Sequence, residues 1–251
     1  MSAWPRPSKT AWPPSPDRWR LDYEVDFRGE ATQTISSSPV TIAGKSWTVV
    51  NVGNADVFAV TNGTGLQIGP ATGTQYAQAT KDAPYLKIDL DELVAKYDRA
   101  DRLFIQLRVA TVGLSADYQS YGLVVGGAKG DGNDAAMLEN QYNGGTVVRS
   151  ARFGGAEWNL DSGSAEAGFL GMEVRPLYAS TWHSATANAW PRPSEMTQAS
   201  KAFVLFNSGP LASAGWHGTS SMNLRLFAER NNGAGAYTAV IEGLRILRQL
   251  Q

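Results

Sequence analysis

The sequence predicts an all-β chain folded as a two-layer antiparallel β-sandwich, and three observations predict it. Twelve or more strand-length runs place apolar residues at every second position, separated by turn residues. Glycine (26 residues) and proline (12) are plentiful while charged residues make up only 18%, a balance that favours strands and turns over surface helices. Hydrophobic residues, 43% of 251, are enough for one large core.

Residues 1–20 stand apart as an N-terminal arm. Prolines 5, 7, 13, 14 and 16 fix φ and favour extended polyproline II backbone, with a reach of roughly 40 Å. Three indoles are too apolar for an ordinary solvated tail. The arm is therefore expected to dock, on its own domain or on a neighbour, through Trp4, Pro5, Arg6, Pro7, Trp12 and Trp19. Its hexapeptide Ala3-Trp4-Pro5-Arg6-Pro7-Ser8 returns letter for letter at residues 189–194. The two copies are expected to occupy related aromatic grooves, one inside the domain and one on a neighbouring chain.

Residues 21–251 read as a single sandwich domain. Leu21, Tyr23, Val25 and Phe27 alternate on one face of the first strand. Residues 46–50 and 57–60 are β-rich, and Asn62-Gly63 marks a turn after them. One short helix is expected near 91–97, with Asp91 and Glu92 at its start and Lys96 near its end. Leu103, Ile105, Leu107 and Val109 form one face of a strand with Gln106 and Arg108 on the other. Residues 121–125 follow. Asn143-Gly144-Gly145 joins two further strands as a hairpin turn. Leu170, Met172 and Val174 alternate, and residues 202–206, apolar on both faces, read as a central strand. Residues 154–218 are otherwise expected to be long loops. In the closing pair, Met222, Leu224, Leu226 and Ala228 share a face, residues 237–247 return, and Gly243 suggests a bulge.

The first strand Tyr23-Glu24-Val25-Asp26-Phe27, the run Tyr121-Gly122-Leu123-Val124-Val125 and the closing Ile241-Glu242-Gly243-Leu244-Arg245-Ile246 together resemble concanavalin A-like jelly rolls of the lectin and laminin-G type. The resemblance extends over most of residues 21–251. It implies the fold, and it implies settings in which such sandwiches occur, among them phage fibre, tail and head-decoration proteins.

Glu24-Val25-Asp26-Phe27-Arg28-Gly29-Glu30 resembles the Glu-x-Asp-x-Glu strand of laminarinase-type glycoside hydrolases, which share that fold. Arg28 stands where the partner acid belongs, Glu30 is displaced beyond Gly29, and parity puts Glu24 and Asp26 on a solvent face. No catalytic residues are expected here. Only His183 and His217 offer an imidazole base, and neither sits in a serine-hydrolase context. With no cysteine and no close histidine pair, zinc is not expected. The glycine-rich segment 126–134 lacks a P-loop ending and reads as a hairpin loop. Its Asp131, Asn133 and Asp134 are the candidate calcium donors, and neither a bound metal nor a cofactor is expected.

Trp158, Tyr178, Trp182, Trp190, Arg192 and Trp216 concentrate aromatic and basic groups in 154–218. Such groups serve as core packing, as a protein interface or as a glycan platform. The net charge of −1 gives no electrostatic reason to bind nucleic acid, and no segment resembles a signal peptide or a membrane span. The reading expected from these features is a non-enzymatic structural part of a phage-type virion, assembled in the host cytoplasm and fastened by its arm to other virion proteins or to copies of itself. The alternatives are a lectin-like module contacting host glycans and a glycan-active hydrolase.

Overall fold

The computed structural model of the protein describes residues 18–50, 56–70, 84–94, 102–126, 135–153, 156–162, 166–175, 178–184, 189–198, 203–204, 223–230 and 235–249. The arm positions Trp4, Pro5, Arg6, Pro7 and Trp12, the loop donors Asp131, Asn133 and Asp134, and Trp216 and His217 lie outside the described residues.

The first nine strands in chain order are β1 (Trp19–Asp26), β2 (Gln33–Thr34), β3 (Val40–Ile42), β4 (Lys45–Val50), β5 (Val57–Thr61), β6 (Gly65–Gly69), β7 (Tyr85–Asp89), β8 (Leu103–Val109) and β9 (Ser120–Gly126). The next five are β10 (Ala135–Asn143), β11 (Thr146–Phe153), β12 (Ala156–Ser162), β13 (Gly168–Arg175) and β14 (Tyr178–Ser184). The last four are β15 (Thr197–Gln198), β16 (Phe203–Val204), β17 (Asn223–Glu229) and β18 (Ala239–Gln249). Helix α1 is Leu90–Leu93. It is shorter than the sequence suggested, because Val94 already has extended backbone at φ −119° and ψ 96°.

Among the described residues these strands form two sheets, and every pairing is antiparallel. The ten-stranded sheet runs β15-β14-β13-β8-β18-β6-β5-β2, with β1 on β18 and β16 on β14. The eight-stranded sheet runs β12-β11-β10-β9-β17-β7-β4-β3. Their facing sides make one core. Leu103, Ile105, Leu107, Leu170, Met172, Leu244 and Ile246 come from the first sheet, and Trp47, Leu86, Leu123, Leu138, Leu224 and Leu226 from the second. Each such side chain is worth about 1.5–3 kcal/mol of burial, which fixes the alternation and hence the register. The all-β sandwich expected from the sequence is the fold observed.

Several local expectations need revision. Leu21 is 47% exposed rather than buried, because a register shift between Leu21 and Tyr23 turns it to the outer side. Residues 203–204 form a short strand beside β14 rather than a central one. Tyr178 and Trp182 lie in a strand where a loop was expected, since the run Tyr-Ala-Ser-Thr-Trp-His-Ser is polar yet pairs along the whole of β13. The hairpin turn and the bulge are as read. Gly144 and Gly145 both have positive φ (59° and 89°), and β18 shifts register between Ile241 and Gly243.

Candidate functional site

Each sheet has a second face, turned away from the core, and on both sheets that face carries buried side chains. On the ten-stranded sheet, alternation sends Phe104, Gln106 and Arg108 of β8 outward, and with them Phe169, Gly171 and Glu173 of β13. Trp182 of β14 stands opposite Gly171. Phe104, Phe169, Met196 and Leu247 form a buried cluster there, against which Trp19, Trp182 and Trp190 pack while remaining partly exposed.

Ring geometry makes this a shelf. Trp19 meets Phe104 edge-on at 5.8 Å and 71°, Trp182 tilts on the same ring at 5.9 Å, and Trp190 tilts on Phe169 at 5.2 Å. Gly171 gives the rings room, since a Cβ there would lie 2.9 Å from Phe104 and 3.0 Å from Met196. The internal copy of the repeated hexapeptide supplies one wall. Gln106, fully buried, donates its amide to the Pro191 carbonyl at 2.9 Å, and Pro191 and Pro193 are buried. Glu195 accepts the Arg192 backbone N–H at 2.7 Å and closes a 3₁₀ turn at Pro193–Glu195. Arg192 itself points to solvent, its side chain 79% exposed.

The polar border is paired. Arg102 lies over the Trp19 ring at 5.2 Å, forks onto the Glu173 carboxylate and donates to Gln249 at 2.7 Å. Arg245 lies near the Trp190 ring at 5.9 Å and pairs with Glu24 at 3.2 Å. Arg108 lies near Phe169 at 5.9 Å and pairs with Glu242 at 2.8 Å. Fork contacts of this kind hold guanidinium planes in fixed directions.

The carboxylates of the Glu24–Glu30 segment therefore serve this border and do not gather into a catalytic set. β1 ends at Asp26, whose carboxylate takes the Arg28 side chain at 2.7 and 2.9 Å and caps the 3₁₀ turn Phe27–Gly29. Those hydrogen bonds hold Asp26 below the ordinary aspartate range, so it stays ionised. Glu30 accepts the Ala43 N–H at 3.2 Å.

Of the expected aromatic positions, the structure brings together Trp19, Trp182 and Trp190. Trp158 is not among them, because β12 belongs to the other sheet, with Trp158 opposite Ala151. Tyr178 shares β14 with Trp182, four residues away along the strand. The floor of the shelf, Phe104, Phe169 and Gln106, escaped the sequence reading. Its only signal was that residues opposite a clear core face were themselves aromatic or amide rather than charged.

The eight-stranded sheet holds a different outer face. Val124, Met137 and Phe227 cluster there beside Tyr85. Beyond them, Gln141, Ser120 and Glu229 form one row across β10, β9 and β17, and Glu139 stands opposite Gly122 in the next. All four side chains are fully buried. Arg225 lies over the Tyr85 ring at 5.0 Å. Neither the Gln141 amide nor the Ser120 hydroxyl has a hydrogen-bond partner among the described residues. Among the described residues no group of three or more metal-ligating side chains is placed to hold an ion, and no helix is long and apolar enough to cross a membrane.

The molecule is thus a sandwich of the concanavalin A-like jelly-roll class with two structured outer faces. No protein-family model matches the sequence, and the comparison with curated proteins gives no relative. Solved structures do match. A variant of the GH43 protein BlXynB from Bacillus licheniformis is 16% identical at a TM-score of 0.53, over 90% of this chain and 39% of that one. A Bacteroides ovatus protein described as Xyloglucan PUL GH43B is 14% identical at 0.53, over 92% and 40%. An endo-1,3-β-glucanase from Streptomyces sioyaensis is 12% identical at 0.50, over 96% and 100%. This chain spans about two fifths of the length of the two GH43 proteins it matches. At such identities the likeness is one of fold. It nevertheless corrects two expectations, that the chain is a structural virion part and that it is not an enzyme. The sandwiches it matches come from glycoside hydrolases, and the weight moves to the glycan readings.

Proposed function

We propose that this chain is a glycan-recognition module holding a neutral polysaccharide against the outer face of its ten-stranded sheet. The observation that carries the reading is the shelf itself, three partly exposed indoles drawn from residues 19, 182 and 190 onto one aromatic floor. A sugar ring presents a C–H face and a rim of hydroxyls. The indoles suit the first, and the fixed guanidinium and carboxylate groups suit the second. The border charges cancel in pairs (Arg102 with Glu173, Arg108 with Glu242, Arg245 with Glu24), which favours a neutral ligand over a charged one. Matched structures named for xyloglucan and for β-1,3-glucan make neutral β-linked polysaccharides the class to try first. The test is affinity electrophoresis in gels containing xyloglucan, xylan or β-1,3-glucan. The chain is retarded by at least one of them, and Trp182→Ala runs free.

A second reading, hydrolysis of a glycosidic bond, is favoured by Glu139 and Glu229. Both stand on the outer face of the eight-stranded sheet, on the two strands that flank β9. Strand spacing puts their Cα atoms on the order of 12 Å apart, a span two glutamate side chains can narrow to the carboxyl separation glycosidases use. Release of reducing ends from the retained polysaccharide, abolished in Glu139→Gln, supports this reading. No release by the native chain removes it.

A further inference from the structure

Away from both outer faces, a cleft of about 590 Å³ opens between β1, the start of β4 and helix α1, lined by Asp22, Tyr23, Lys45, Asp91, Glu92 and Leu93. Its size lies within the range of small-ligand sites. We infer that this cleft is a binding site for a single amino-sugar unit, separate from the aromatic shelf.

The chemistry of the lining selects the ligand. Tyr23 is only 9% exposed, its ring belongs to the core, and its hydroxyl has no hydrogen-bond partner. A buried hydroxyl left unmatched costs stability, and a ligand hydroxyl in the cleft relieves that cost. Burial, with the Glu30 charge nearby, pushes the phenol up to about 12, so it remains a donor throughout the neutral range. Lys45 donates to the Glu92 carbonyl at 2.6 Å and keeps further N–H donors. Asp91 and Glu92 are exposed acceptors, and Leu93, 4% exposed, provides an apolar wall.

Charge decides among sugars. Asp22 is the residue re-aimed by the irregularity in β1, and its carboxylate is taken up by Arg20 at 2.7 Å and Arg248 at 2.6 Å. The groups left to a ligand are two carboxylates, Asp91 and Glu92, against one ammonium, Lys45. The excess is negative, so a sugar carrying an ammonium group is favoured, a neutral hexose binds less well, and a uronic acid is repelled.

The experiment titrates the full chain at pH 6 with glucosamine, glucose and glucuronic acid, following backbone amide shifts by NMR. Glucosamine gives saturable shifts at Lys45 and Leu93, glucose gives weaker ones and glucuronic acid none. Tyr23→Phe weakens glucosamine about five-fold, the loss of one hydrogen bond. Asp91→Asn combined with Glu92→Gln removes the preference over glucose, while Trp182→Ala changes nothing. Absence of saturable shifts at the cleft, equal binding of glucuronic acid, no effect of Tyr23→Phe, or loss in Trp182→Ala each overturns the proposal. The last outcome assigns the ligand to the shelf, so the two sites fail separately.

Discussion

Gly243→Ala tests how the shelf is built. A Cβ at residue 243 would lie 2.9 Å from the Val25 carbonyl oxygen and 3.0 Å from Cζ2 of Trp190. The carbonyl belongs to β1, paired along this edge of β18, and cannot retreat without loosening the pairing of Asp26 with Gly243 and of Val25 with Leu244. The indole is free to move, so the methyl group should lift Trp190 from Phe169. Overpacking of this kind costs about 1–3 kcal/mol. At about 2 kcal/mol, and 2–4 °C per kcal/mol for a chain of this size, the melting temperature falls by roughly 4–8 °C. Differential scanning calorimetry measures the drop, and the near-ultraviolet circular dichroism of the Trp190–Phe169 pair should weaken with it. Gly29→Ala is the control, because a Cβ there meets nothing within 4 Å. Equal melting of Gly243→Ala and the native chain, with the aromatic signal intact, would refute the seating of Trp190 on Gly243.

Three further outcomes are expected. Gln106→Leu leaves the buried Pro191 carbonyl without its donor and costs about 1–3 kcal/mol in urea unfolding, and a neutral result would show that this bond does not hold the 189–198 segment down. Tyr23→Phe removes an unmatched buried hydroxyl, so stability stays level or rises by up to about 1 kcal/mol, and a clear loss would reveal a partner for that group. Asp26 has its folded pKa lowered below 3.8, chiefly by the Arg28 hydrogen bonds, so its contribution is present above the unfolded value and is lost as pH falls through the folded one. Asp26→Asn should accordingly be less stable than the native chain at pH 7, with the gap closing below about pH 3.8, and a gap independent of pH contradicts the pairing.

The sandwich was legible because its core faces alternate strictly, as in Leu103-Ile105-Leu107-Val109 and Leu170-Met172-Val174. Turn chemistry at Gly144-Gly145 and the bulge near Gly243 were legible for the same local reason, since only glycine fits there. The outer faces were not. Gln106 and Arg108 have the composition of a solvent face, and only the placement of residues 189–198 against β8 and β13 buries Gln106. Trp182 was noticed for its type but assigned to a loop, because the polar residues around it hide a strand that pairs along the whole of β13. Glu139 and Glu229 were passed over altogether. They lie 90 positions apart in the chain, and no local spacing announces that β9 brings their strands to either side of it. The acids that local spacing did announce, Glu24 and Asp26, are held by arginines.

Glycan recognition on the shelf is tested most directly by isothermal titration calorimetry of the full chain with the polysaccharide that retards it, beside Trp182→Ala. A half-exposed indole offers about 80 Å² to a sugar ring, worth about 2 kcal/mol at 25 cal/mol per Å². The account predicts measurable binding by the native chain and about a 30-fold loss in the variant. A native chain that binds none of the three polysaccharides, or a variant that binds as well as the native chain, contradicts it.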